Sequence, residues 1–86
     1  MDFQLYTDAV LVGNVSGDFL QAGDIGTVVE RHDVAGLETG YSVEFFDMLG
    51  NTVAVVTLPE SMLRLPTHAD RPTVRTDNRH NITVRE

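Results

Sequence analysis

Cysteine, tryptophan and lysine are all missing from this chain of 86 residues. Without cysteine there is no disulfide framework and no thiolate metal site to reinforce a small core. The opening Met1-Asp2-Phe3-Gln4 lacks the basic start and long apolar run of a signal peptide. No apolar run approaches the ~20 residues needed to span a bilayer. The expectation is a soluble cytoplasmic protein with no membrane contact. Basic charge is also scarce: six arginines face 13 acids, for a net charge of −7. The imbalance is concentrated in residues 1–65, where ten acids oppose Arg31 and Arg64, a charge of −8. Residues 66–86 carry four arginines against three acids, a charge of +1. An acidic body repels phosphate backbones and steers toward basic partners, so a protein partner of basic character is expected and nucleic acid is not.

What is present alternates with period two, the signature of strands. At this length one domain is the limit, since domains typically run about 100–150 residues, and such a chain buries only about 60% of its unfolded surface. Leu5 to Gly13 reads as a first strand, with Ala9, Val10, Leu11 and Val12 mostly buried. Turn chemistry at Asn14-Val15-Ser16-Gly17-Asp18 opens a loop in which Phe19 and Leu20 fold back as apolar anchors. Asp24 to His32 is a second strand rich in β-branched residues. In Tyr41 to Phe46, Tyr41, Val43 and Phe45 share one face while Ser42, Glu44 and Phe46 share the other. Gly50 suits a left-handed position in the turn that leads to a fourth strand, Asn51 to Thr57, with Val53 and Val55 expected buried and Ala54 and Val56 as further candidates for burial. Thr57 and Glu60 fit a capping box for a single helical turn at Pro59–Met62, before a closing strand at Leu63–Leu65 and a stop at Pro66.

That layout is all-β: a small SH3-like five-stranded barrel with one short helical turn before the last strand, over residues 1–66. A C-terminal extension, 67–86, is expected to be poorly ordered or to form an edge strand through Asn81-Ile82-Thr83-Val84-Arg85, on its own sheet or on a neighbour's, as in a structural subunit of a homo-oligomer. Ala22-Gly23-Asp24-Ile25-Gly26-Thr27-Val28-Val29 resembles the turn-and-strand signature of KOW motifs and related barrels. A closer resemblance rests on Leu5-Tyr6-Thr7-Asp8, Leu20 to Glu30, Tyr41-Ser42-Val43-Glu44-Phe45, Thr52 to Pro59 and Leu63-Arg64. In order and spacing these resemble a bacterial family catalogued as domain of unknown function 4926, over residues 5–65. The resemblance implies a barrel and carries no established chemistry, so it supplies no catalytic residues; no cofactor is expected. Some members look like partners of toxin-type proteins encoded nearby.

Each candidate site has a plain alternative. Gly23 and Gly26 could let a ligand backbone approach, yet Asp24 lies between them and no basic residue precedes Arg31. A tight turn into a crowded strand accounts for them better. Asp24, Glu44 and Asp47 are the carboxylates that could work as acid and base, but they are spaced like ordinary strand and turn acids. No nucleophile motif accompanies them, so no enzyme activity is expected. His32-Asp33 is the best local pair for a metal, with His68 and His80 far along the chain; solvated histidines explain all three, and no metal is expected. Arg71, Arg75 and Arg79 recur every four residues in a segment whose Pro72 opposes a helix, which suits a solvated or docking tail. The remaining candidate is Glu44, Phe46, Asp47, Met48 and Leu49, an acid-flanked apolar cluster at the hairpin tip suited to a protein contact. Its plain alternative has Met48 and Leu49 capping an open end of the barrel.

Overall fold

A computed structural model describes residues 2–17 and 19–71. Its strands are β1 (Asp8–Leu11), β2 (Ile25–His32), β3 (Gly40–Phe46), β4 (Thr52–Pro59) and β5 (Leu63–Arg64), with a short 3-10 turn at Glu60–Met62. They form one sheet in the order β4-β3-β2-β1-β5, antiparallel at every step. The sheet curls into a half-barrel, so the SH3-like layout expected from the sequence is what the chain adopts. Its concave side holds the core: Ala9, Leu11, Val28, Tyr41, Val43 and Phe45 are buried there, with Leu20, Leu58 and Leu63 closing the ends.

The hairpin of β3 and β4 forms as the alternation implies, and Gly50 takes the left-handed conformation at φ +86°. Phe45 faces the core and Phe46 faces outward. On β4, however, only Ala54 and Val56 of the four candidates turn inward, and the expected burial of Val53 and Val55 fails. Tyr41 pairs with Leu58, Val43 with Val56 and Phe45 with Ala54. Directly opposed residues share a face, so Ala54, Val56 and Leu58 join the core side while Val53 and Val55 stand exposed on the convex side. Four valine or alanine residues in a row carry no alternation, so register alone decides the facing.

Three local expectations also change. Tyr6 adopts a left-handed conformation, so β1 begins only at Asp8, although the Tyr6 amide still donates to the Val28 carbonyl and the Thr7 carbonyl accepts from the Val28 amide. Leu20 anchors its loop by bridging to Val15, whereas Phe19 is exposed. No capping box forms at the 3-10 turn: Thr57 lies inside β4 with its hydroxyl on Ser42, and the Glu60 amide donates to the Thr39 carbonyl. The 72–86 part of the extension lies outside the described residues. Within 67–71 the chain turns back, and Asp70 accepts from both guanidinium nitrogens of Arg64, at 2.9 and 2.7 Å.

The N-terminal arm adds a core residue that the alternation does not announce. Phe3 is buried edge-on against Tyr41, with ring centroids 5.2 Å apart at 78°. Its amide donates to the Tyr41 hydroxyl at 3.1 Å, which satisfies that hydroxyl inside the core.

Candidate functional site

The stretch Ala22-Gly23-Asp24-Ile25-Gly26 turns the chain into β2, and its glycines are there for the backbone. Gly23 has φ +93°, and its amide donates to the Leu11 carbonyl. Gly26 lies under β3: a Cβ there would meet Val43 Cγ1 at 2.6 Å and the Glu44 carbonyl oxygen at 2.9 Å. Asp24 accepts from the Gln21 amide at 2.9 Å, which holds the loop closed on itself.

At the other end of the sheet, the tip between β3 and β4 is ordered by one side chain. The Asp47 carboxylate accepts from the Leu49 and Asn51 amides, each at 2.9 Å, and from Asn51 Nδ2 at 3.2 Å. These donors, those of Asn51 foremost, hold its pKa below the ordinary aspartate value. Glu44 accepts from the Thr52 hydroxyl across the hairpin. Both acids predicted to flank the tip therefore also build it. With the turn held by polar groups, its apolar residues are left outside: Phe46 is 45% exposed, Met48 68% and Leu49 87%. Met48 and Leu49 do not cap the barrel. A register shift beside Phe46 brings it opposite Thr52 and leaves Val53 bulged, so the outward Phe46 adjoins the start of the exposed Val53–Val55 row. The result is an apolar platform at one end of the convex face, edged by Glu44 and Asp47.

A second constellation joins residues that the sequence scatters. His32 Nε2 lies 2.8 Å from Ser42 Oγ, and Ser42 Oγ lies 2.9 Å from Thr57 Oγ1. Ser42 pairs with Thr57 in the ladder, a pairing that the sequence, read with Val53 and Val55 inward, does not disclose. An imidazole beside a hydroxyl invites a nucleophile reading. Yet the nearest carboxylate, Glu30 Oε1, stands 3.8 Å from the same Nε2 rather than holding the far ring nitrogen. Ser42 is also buried, with Thr57 taking its remaining valence. The row acts as a polar rung across β2, β3 and β4. His32 and Asp33 go separate ways: Asp33 accepts from Arg31 Nε at 3.0 Å and from Thr39 Oγ1 at 3.2 Å. Among the described residues no three His, Asp or Glu side chains gather as metal ligands. His68 is exposed, and His80 lies outside the described residues. No described helix is long and apolar enough to cross a membrane.

Residues 5–65 match the family described as domain of unknown function (DUF4926). The chain belongs to that family. The match runs from the bend before β1 to the end of β5, so the DUF4926 segment coincides with the curled sheet, and Phe3 packs onto it from outside. Neither a curated protein nor a solved structure matches the chain.

Proposed function

We propose that this DUF4926 protein is a non-catalytic interaction module of the cytoplasm that binds a basic protein partner through the β3–β4 tip. The observation that carries this reading is the tip itself: Phe46, Met48 and Leu49 held outward by a rigid, acid-built turn. Aromatic and methionine side chains are enriched at interface cores, and a pre-ordered turn limits the entropy cost of docking. The charge of −8 on residues 1–65 adds steering toward a cationic surface. An antitoxin-like inhibitor or adaptor that masks a basic groove fits both features. No cofactor enters this role.

The test is capture from the native host with the full-length protein, with and without nuclease. A stoichiometric basic protein that survives nuclease supports the proposal. Recovery of RNA, or of nothing at moderate salt, overturns it. RNA recovery would point to a KOW-like binding role, whose affinity would fall steeply with salt.

A further inference from the structure

Sulfur occurs in this chain only as thioether: there is no cysteine, and the described methionines are Met48 and Met62. The two stand in opposite surroundings. Met62, at the end of the 3-10 turn, is half-buried against the core, with its Cε and Sδ 3.5 and 3.8 Å from the place a Cβ on Gly13 would take. Met48 is 68% exposed at the head of the β3–β4 turn. Bonds on both sides of it fix the backbone there. The Asp47 amide donates to the Asn51 carbonyl at 2.9 Å, and the Gly50 amide donates to the Asp47 carbonyl at 3.1 Å. These bonds and those to the Asp47 carboxylate build the turn without the Met48 side chain. The thioether is therefore open to reagents in solution, and its chemistry can change while the turn stays.

We propose that Met48 is a reversible oxidation site: a hydroperoxide converts its thioether to the sulfoxide, and the tip then releases its partner while the domain stays folded. The inference rests on the proposed interaction through the tip and adds its regulation. The sulfur lone pair attacks the terminal oxygen of the hydroperoxide. The O–O bond breaks as the S–O bond forms, and the hydroxyl proton passes to the departing oxygen, which leaves as an alcohol or, from hydrogen peroxide, as water. Sulfur loses two electrons and the peroxide gains them. The product is a polar, chiral side chain in the apolar cluster of Phe46 and Leu49. Packed against a partner, it buries an oxygen acceptor among apolar groups, where an unmatched polar group is costly. Neither Phe46 nor Leu49 carries an atom that peroxide oxidises in this way, and no thiol in the chain diverts the oxidant. A dithiol-dependent sulfoxide reductase reverses the step: the oxygen leaves as water while two thiols become a disulfide.

The experiment treats the full-length protein with graded hydrogen peroxide and maps each methionine by peptide mass spectrometry. The same samples, freed of peroxide, then serve as bait in nuclease-treated host extract. Wild type, Met48→Leu and Met62→Leu are compared, each against its own untreated sample. Met48 should gain an oxygen at least about tenfold faster than Met62, with the melting temperature unchanged. Oxidised wild type and oxidised Met62→Leu should each hold about tenfold less of the basic protein, and sulfoxide reductases should restore it. Met48→Leu should hold as much after peroxide as before. Similar oxidation of the two methionines, a melting temperature that falls with Met48 oxidation, or equal capture by oxidised and untreated wild type would each overturn the proposal. So would a peroxide effect that persists in Met48→Leu. Capture by no untreated bait would sink the interaction reading itself, and this switch with it.

Discussion

At Gly26 a methyl group has no room. The three nearest heavy atoms to a Cβ would lie at 2.6–2.9 Å, and one is the backbone carbonyl oxygen of Glu44. Gly26→Ala should therefore destabilise the fold by about 1–3 kcal/mol, the usual cost of overpacking, read as a lower denaturation midpoint with an unchanged slope. Gly26 was legible in the sequence as a structural glycine, because an acid rather than a cation stands between it and Gly23. The clash partners were not, since they come from β3. A different single-residue effect concerns acid. Asp70 is held well below the ordinary carboxylate range by Arg64 and then by the Thr67 amide; Asp33 is lowered first by Arg31, and Asp47 first by Asn51. Each native pKa lies below the unfolded value near 3.8. Their stabilisation is thus complete above that value and fades as pH falls through the native ones. Melting temperature should drop below about pH 4, and Asp70→Asn should flatten part of that drop. An identical acid profile for the variant would assign the drop to other groups.

The elements differ in how far the sequence announced them. The β3–β4 hairpin was legible as a pair of strands and a turn, because alternation in Tyr41 to Phe46 and a left-handed Gly50 specify it locally. The faces of β4 were not, because a run of small apolar residues fits either side and only the pairing of Val43 with Val56 chooses. Phe3 escaped notice for the opposite reason: one aromatic in an irregular arm has no period, and its place is fixed by Tyr41 nearly forty residues away. Phe3→Ala should cost about 3 kcal/mol, while Tyr41→Phe, which strands one amide, should cost about 1 kcal/mol. Chemical denaturation checks both; equal small losses would mean that the arm does not dock. Val55 stands outward on β4 opposite Glu44, so Val55→Lys should change stability by less than about 0.5 kcal/mol, whereas Val43→Lys should prevent folding.

On the scale of the whole molecule, period-two alternation foretold an all-β domain, and the curled sheet agrees. The site was legible only in part. Phe46, Met48 and Leu49 could be named from their place in a hairpin, but whether they cap the barrel or face solvent depends on the Asp47 turn that turns them out. Charge shapes the binding expected there: a basic partner should associate more slowly as salt rises, with the change in the on-rate rather than the off-rate. The most direct test compares the full-length protein with its Phe46→Ser/Met48→Ser/Leu49→Ser variant as bait in nuclease-treated host extract, after both are shown to melt alike. The account predicts one basic protein held by the wild type and lost by at least about tenfold from the variant, as truncating a hot-spot cluster requires. Equal capture by the two baits, or no capture that outlasts nuclease, would contradict it.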